Sequence, residues 1–583
     1  MDINKEKLNH PRPNFFRKSF IDLNGKWDFL LEDKDVGERE PRFKSFPKDH
    51  LVINVPYCYQ CELSGINIQK KYDTVWYQKD VNFDYKAGER VLLHFEASDY
   101  RTRVYVNEKL VGEHKGGYTS FVFDITDYLV NGFAHIAVRC DDTYDLHQPR
   151  GKQKWKDEPF GCWYQEVTGI WKSVWAEVVS DVHVESFKLT PKEGGLAQVE
   201  IKLNKPVSNE IEVAFSLDNE IVGCAKYAAN NGYFNEIVQL NKISYWDIDN
   251  PNLYDVSLKV LDGETVIDDV GSIFGYRFIK TEGKQILLNN KPLFMRLTLE
   301  QGYYPKGIYT FENLDEMINE VTLIQRLGFN GLRMHQKIED NRFYYLCDLL
   351  GLIVWCELPS CYDFDEDTEA NVYREWKEVL EQHYNHPSIL VWTPINESWG
   401  VPGIRHNKEQ HEFLLNLYNM TKEFDPTRLV VSNDGWEHCK TDLVTLHNYV
   451  QDPVRFKYFC DNVLDIVMNN KHVDDMNEFI PFSDGFKYEG QPILWDEFCG
   501  IGYDIQKAKD GWGYGGKVQS DEEFLTRYQG LIEAASTCKD IAGWCMTQIS
   551  DVYQEINGLV TFDRKAKVDL NKLCEINKGN YNK

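Results

Sequence analysis

Several things are scarce in this 583-residue chain, and each scarcity removes a class of function. Basic side chains are outnumbered, 65 Lys and Arg against 92 Asp and Glu, which leaves a net charge of −27. A field of that sign repels phosphate backbones and anionic lipid, so neither nucleic acid nor a membrane is an expected partner. It also weighs mildly against a strongly anionic substrate, unless a local basic pocket overrides it. No run of about eighteen apolar residues occurs, so no membrane-spanning helix is expected. The opening segment Met1–Phe16 is charged, carries prolines and lacks the apolar stretch of a leader. A cytoplasmic chain, or one whose leader has been trimmed away, is therefore expected. No glycine-rich phosphate loop follows a strand pattern, and no His-x-x-x-His pair or acidic loop has metal spacing. Neither a cofactor nor an essential metal is expected. The 14 cysteines are scattered, several of them inside apolar runs (Cys140, Cys356, Cys545), which reads as reduced core thiols. The single Cys58-x-x-Cys61 pair has no partner at zinc spacing.

What is present is a long chain of ordinary hydrophobicity, 42%, with an aromatic content of 14% that includes 15 Trp. That length asks for two to four domains. The aromatic residues suit large β domains and equally suit a surface on which sugar rings stack.

The most informative stretch is Ile389-Leu390-Val391-Trp392-Thr393-Pro394-Ile395-Asn396-Glu397-Ser398-Trp399-Gly400. An apolar strand pattern runs into Pro394 and then delivers a carboxylate, as the strands of a (β/α)₈ barrel deliver catalytic acids at their carboxyl ends. Glu397 could instead cap the next segment or pair with Arg405. A second stretch, Pro492-Ile493-Leu494-Trp495-Asp496-Glu497-Phe498, has the same form. Two strand-end glutamates meet the need of glycosidic cleavage, which takes one protonated carboxyl and one ionised carboxylate. Their carboxyl groups are expected about 5 to 5.5 Å apart, as in retaining enzymes.

The tetrads Asn396-Glu397-Ser398-Trp399 and Trp495-Asp496-Glu497-Phe498 resemble, in order and separation, the acid/base and nucleophile segments of family 2 glycoside hydrolases. That family includes β-galactosidases, β-glucuronidases and β-mannosidases. The resemblance implies that Glu397 is the general acid/base, that Glu497 is the nucleophile and that Asn396 hydrogen-bonds the hydroxyl beside the reacting carbon. Asp99–Asn107 and Gly112–Phe121 resemble the family's sugar-binding-domain signature.

The chain reads as three domains. Residues 1–180 carry short strands such as Lys26–Leu30, Val91–Phe95, Arg103–Val106, Phe121–Phe123 and His135–Val138, which points to a jelly-roll β-sandwich. Residues 181–278 alternate as an immunoglobulin-like β-sandwich with no titratable cluster, a spacer. Residues 279–583 alternate strands and amphipathic helices, with eight strand candidates that close a C-terminal (β/α)₈ TIM barrel.

Each barrel strand end offers a polar or aromatic group for a polyhydroxylated ring. These are Arg333 and His335 after the second, Glu357 at the third, Asp434, Trp436 and His438 after the fifth, His447 and Tyr449 at the sixth, and Trp544, Gln548 and Asp551 at the eighth. Arg333 is placed to hold a nucleophile ionised, His335 and His447 to bind hydroxyls, and Tyr449 to orient Glu497. Glu357 is a third acid that would bind a sugar hydroxyl. The loop Gln148–Trp171 is rich in donors and aromatics; in the resembled family a first-domain loop completes the sugar pocket, which makes Gln153, Lys154 and Trp155 candidates for a wall over the barrel mouth.

The expected function is a retaining exo-acting β-glycosidase acting on a terminal carbohydrate, with β-galactosidase leading. β-Glucosidase, β-glucuronidase, β-mannosidase and transglycosylase come next, and a non-catalytic carbohydrate-binding protein stands last. Glucuronidases of the family carry an Asn-x-Lys pair near the last barrel strand, where this chain reads Gln554-Glu555-Ile556-Asn557-Gly558-Leu559 without the lysine. A homo-oligomer is compatible with all of these readings.

Overall fold

The computed structural model describes residues 5–32, 41–475, 477–506, 510–579 and 581. Residues 1–4 and 582–583, the ends of the first and third expected domains, lie outside the described residues.

Two antiparallel sheets face each other in the first region. One orders Phe20–Asp22, Val174–Ser180, Glu89–Phe95 and Phe121–Asp124; the other orders Leu51–Val55, Gly25–Glu32, Thr74–Asn82, Phe133–Asp141, Arg101–Val106 and Lys109–Lys115. Trp27, Phe29, Leu93, Val104 and Ile136 fill the space between them, which makes a jelly-roll sandwich. A second sandwich of three and four strands spans Val184–Phe274. Its alternation is clean: along Leu196–Leu203, Ala197, Val199, Ile201 and Leu203 are buried while Gln198, Glu200 and Lys202 face outward. Arg17 ties the two sandwiches together, 2.9 Å from Glu177 of the first and 2.8 Å from Asp268 of the second.

The barrel comes next, and its strands are numbered here β1 Met295–Glu300, β2 Gly331–Met334, β3 Ile353–Glu357, β4 Ile389–Thr393, β5 Leu429–Val430, β6 Val444–Asn448, β7 Ile493–Cys499 and β8 Gly543–Thr547. All ladders are parallel, in the order β5-β4-β3-β2-β1-β8-β7-β6. The seam from β5 to β6 is joined by Asp442 N donating to Val430 O at 2.8 Å and His447 N donating to Gly435 O at 3.3 Å. These strands are buried along their whole length, because helices cover one side and the barrel interior the other; their sequences accordingly read as continuous apolar runs. Among the covering helices, Leu314–Arg326 and Asp521–Ser536 begin at Asn313 and Ser520, whose side chains accept backbone N–H bonds as N-caps. The β5–β6 connection, residues 431–443, contains no helix. Leu297, Leu299, Trp355, Leu390, Leu429 and Leu494 pack the interior, and Ile286, Leu288 and Leu293 from a small sheet close its amino end. The carboxyl ends of the strands are thereby left for a site.

Candidate active site

Glu397 sits four residues past the end of β4, with φ at 50°, and Ser398 comes after it at 59°. Side chains other than glycine adopt this left-handed backbone at a cost, which the surroundings must offset. Here Glu397 N donates to Asp434 O at 3.0 Å and Trp399 N to Asn396 O at 2.9 Å. The turn directs the carboxylate inward: Oε1 lies 2.8 Å from His447 Nδ1, and Oε2 accepts from Trp399 Nε1 at 3.3 Å. Arg405 pairs with Glu437 instead, at 2.7 Å.

Glu497 lies within β7, where a register irregularity interrupts the pairing with both β6 and β8. Strand alternation would send Asp496 and Glu497 to opposite sides. The irregularity brings both to the same cluster: Arg333 Nη2 is 2.9 Å from Glu497 Oε1, and His447 Nε2 is 3.4 Å from Asp496 Oδ1. Tyr449 donates its phenol to Glu497 Oε2 at 2.5 Å and stacks on Tyr514 at 3.6 Å. Carboxylate oxygens of Glu397 and Glu497 and a nitrogen of His447 all lie within 4.8 Å of one another.

Arg333 on β2 organises the floor. Fully buried, its guanidinium donates to Glu357 Oε2 at 2.8 Å, to Asn396 Oδ1 at 2.8 Å and to Asp496 O at 3.1 Å, and lies 2.8 Å from Asp434 Oδ2. A buried charge network of this density holds only when each member is compensated. Burial would keep His447 neutral, but the charge of Glu497, with Asp496 and Asp434 beside the ring at 3.4 and 3.6 Å, pushes its pKa well up, which makes it an imidazolium. Burial likewise opposes ionisation of Glu397, and the hydrogen bond and charge of His447 override it, holding the carboxyl down at about 2. Glu497 is held below its ordinary value by His447 and Arg333 against the same burial. Burial wins at Asp496, raised well above its ordinary range, and at Glu357, pushed up to about 7. Gly435, at φ 94°, leaves room for the imidazole: a Cβ there would lie 2.7 Å from the His447 ring.

Of the residues expected at the strand ends, Arg333, Asn396, Asp434, His447, Tyr449 and Glu357 converge in this cluster. His335 joins them, 3.0 Å from Glu357 Oε1, and burial keeps it neutral. Trp436 stacks on Phe479 at 3.7 Å and meets the His447 ring edge at 5.3 Å. Others are corrected. Trp544 points outward from β8, donating to Ser536 Oγ of the covering helix at 3.1 Å and packing on Phe329 and Phe498; it belongs to the core. Gln548 is buried between Gln301 and Asn557, at 2.8 and 2.7 Å. His438 is bound to the backbone of Thr445, and Asp551 pairs with Lys567 at 2.6 Å.

The loop Gln148–Tyr164 does lie on the barrel. Arg150 N and Gly151 N donate to Ser360 O at 3.0 and 3.1 Å, Gln554 Nε2 donates to Gly161 O at 2.9 Å, and Tyr164 OH bonds Glu555. Its side chains point differently from the sequence-based expectation. Gln153 spends its amide on Asp99, Tyr118 and Val167 N inside the first sandwich, at 2.7, 2.9 and 2.7 Å. Lys154 is buried against Glu166 at 3.3 Å and Asp157 O at 2.5 Å. Trp155 stands behind the wall, 4.2 Å from Tyr362 and 4.8 Å from Trp163, and these two rings are the ones that meet Trp399, at 5.3 and 5.4 Å. Lys152 is the loop cation whose charge acts on Glu397, His335 and Glu555. Sequence reasoning did not choose Lys152, Trp163, Tyr362, Tyr514 or Glu555 as candidates, although Lys152 and Trp163 belong to the loop marked for its donors and aromatics. Two triads, Glu397-His447-Glu497 and Asp434-His447-Asp496, have the convergence of a metal site, against the expectation that no such set stands out. His447 carries a proton there and Arg333 already supplies the positive charge.

Three family models match the chain: glycosyl hydrolases family 2 sugar binding domain over residues 20–175, glycosyl hydrolases family 2 over 182–277, and the family 2 TIM barrel domain over 279–478. Glu397 lies inside the last match and Glu497 beyond it. A putative beta-glucuronidase of Formosa agariphila is 26% identical over 70% of this chain and 50% of its own length, and a beta-galactosidase of Thermoanaerobacter pseudethanolicus is 26% identical over 79% and 63%. The chain thus spans between half and two thirds of these curated relatives. Solved structures of β-glucuronidases from Ruminococcus gnavus and Dictyoglomus thermophilum share the fold, with TM-scores of 0.80 and 0.79 at 17% and 19% identity, covering 97% and 98% of this chain and 98% of each of theirs.

Proposed function

The chain belongs to the family 2 glycosyl hydrolases, and from that premise we propose that it is a retaining, exo-acting β-glycosidase with Glu497 as nucleophile and Glu397 as acid/base. The observation that carries this reading is the approach of the two carboxylates to within 4.8 Å. Retaining enzymes hold the pair about 5 to 5.5 Å apart, whereas inverting enzymes need about 6.5 to 9.5 Å for an intervening water.

Glu497, ionised between Arg333 and His447, attacks the anomeric carbon from one face and forms a glycosyl ester. The leaving oxygen takes a proton from Glu397. In the free site that proton resides on His447 Nδ1, 2.8 Å away, because the Glu497 charge holds it there. As Glu497 becomes an ester its charge is consumed, the imidazolium becomes more acidic, and the proton passes through Glu397 to the leaving group. Water then attacks the anomeric carbon with Glu397 as base, the bond from that carbon to Glu497 breaks to free the carboxylate, and the proton that Glu397 takes up returns to His447 and restores the starting state. Tyr449 orients the nucleophile by its phenol. The first-domain loop closes one side of the mouth, which suits a chain end rather than a chain interior.

β-Galactoside is the leading substrate. The stretch Gln554–Leu559 lacks the lysine of the glucuronidase Asn-x-Lys pair and carries Glu555, a buried carboxylate bonded by Tyr164 and Asn557, which disfavours a uronate there. The relatives carry both names, so the test is direct: a panel of nitrophenyl β-glycosides, read for rate and, with added acceptor sugars, for transfer products. Turnover of the β-galactoside with hydrolysis dominant is expected. No turnover of any member would return the chain to the carbohydrate-binding alternative.

A further inference from the structure

Lys152 is a charged group in an awkward place. Its residue is 6% exposed, and among the described residues its ammonium has one hydrogen-bond acceptor, the Cys162 thiol at 3.4 Å. An ammonium has three donors, and a thiol is a weak acceptor. Burial opposes its charge, and Cys162, Tyr362, Glu397 and Glu555 hold it ionised by electrostatics, so what it lacks is hydrogen-bond acceptors for its remaining donors. The loop that carries it is fastened to the barrel on both flanks, by Gly151 N to Ser360 O at 3.1 Å and by Tyr164 to Glu555, so the ammonium is held in position. Glu555 is 4% exposed and accepts one bond on each oxygen, from Tyr164 and from Asn557 at 3.1 Å, which leaves a lone pair on each. Lys152 and Glu555 act on each other electrostatically, yet among the described residues they form no ion pair. Both also act on Cys162, which lies in the same part of the wall.

Resting on the glycosidase reading above, we propose that Lys152 is a specificity-determining residue that donates to a hydroxyl oxygen of the terminal sugar, while Glu555 accepts from a sugar hydroxyl proton. A hydroxyl is both donor and acceptor, so it satisfies an ammonium and a carboxylate at once. A uronate carboxylate satisfies only the ammonium and meets repulsion from Glu555. The wall therefore takes neutral terminal sugars, and the discriminating group comes from the first sandwich rather than from the barrel.

The test compares the full chain with Lys152→Met and Glu555→Gln on nitrophenyl β-galactoside, β-glucoside and β-glucuronide, and on monodeoxy versions of the preferred neutral sugar. Loss of a charged hydrogen bond predicts a roughly 10- to 100-fold fall in kcat/KM for Lys152→Met. One monodeoxy substrate, already poor for the unaltered protein, is expected to lose nothing further in that variant. Glu555→Gln is expected to narrow the preference for neutral sugar over glucuronide. If Lys152→Met does not fold, Cys162→Ser carries the test, since its hydroxyl is a better acceptor that competes for the ammonium and raises KM severalfold. The proposal is overturned if these variants keep the kinetics of the unaltered protein on every substrate, or if the unaltered protein prefers the glucuronide and Lys152→Met removes that preference. An unaltered protein inert on the whole panel would instead overturn the glycosidase reading, a distinguishable result.

Discussion

The floor and the wall of the site are built by opposite means. On the floor, Arg333, Glu357, His447 and Glu497 project from β2, β3, β6 and β7, where neighbouring strands fix direction and one guanidinium spaces the carboxylates. On the wall, Lys152, Trp163 and Tyr164 come from a loop of another domain, without regular strand periodicity, held by scattered bonds to barrel loops. A side chain's destination can be read from the sequence when a repeating backbone sets it. Where only tertiary docking sets it, an error of two positions separates Lys152 from Lys154.

That contrast can be attacked where its effect is largest. Glu497→Gln removes the proposed nucleophile while keeping its size, and turnover should fall by roughly four orders of magnitude or more, measured by burst and steady-state assays. Glu397→Ala should cost about 10²- to 10⁴-fold on substrates with poor leaving groups and much less on nitrophenyl leaving groups, which need little protonation. Equal losses across leaving groups would show that Glu397 is not the acid.

A third prediction concerns how the wall domain is seated. Glu375 accepts from Tyr118 N at 2.9 Å across the junction, and burial, with Glu378 beside it, pushes its pKa up from 4.5 to about 8. Its folded pKa exceeds the unfolded one, so its stabilising contribution is complete below about 4.5 and is lost as pH rises through about 8. Glu375→Gln should therefore raise stability at pH 8 by about 1–2 kcal/mol and leave it nearly unchanged at pH 5, read by thermal melting. Equal effects at the two pH values would sink that account.

The smallest effects belong to the wall residues first chosen from sequence. Trp155→Ala should raise KM only severalfold, because it supports Trp163 and Tyr362 rather than facing the glutamates. Lys154→Met should leave KM within about twofold and act on melting instead, since Glu166 loses its partner. A KM effect for Lys154→Met as large as that for Lys152→Met would erase the distinction between the two lysines.

Residue order alone determined a good deal about this protein. Apolar runs ending in carboxylates marked Glu397 and Glu497, because a strand buried on both sides must be apolar until it reaches the mouth, and two-residue alternation marked the sandwiches. At β8 the strand was legible but Trp544 was misplaced, since an apolar run buried on both faces carries no alternation to say which face is which. The tertiary structure decided the rest. A register irregularity in β7 put Asp496 and Glu497 together against local periodicity, Arg333 reached residues between 24 and 164 positions away, and a loop from another domain brought the Lys152 charge within electrostatic reach of Glu397 and Glu555. The physical reason is one of range: burial and periodicity act over a few residues and leave a trace in the sequence, whereas charge compensation and docking depend on which distant segments meet.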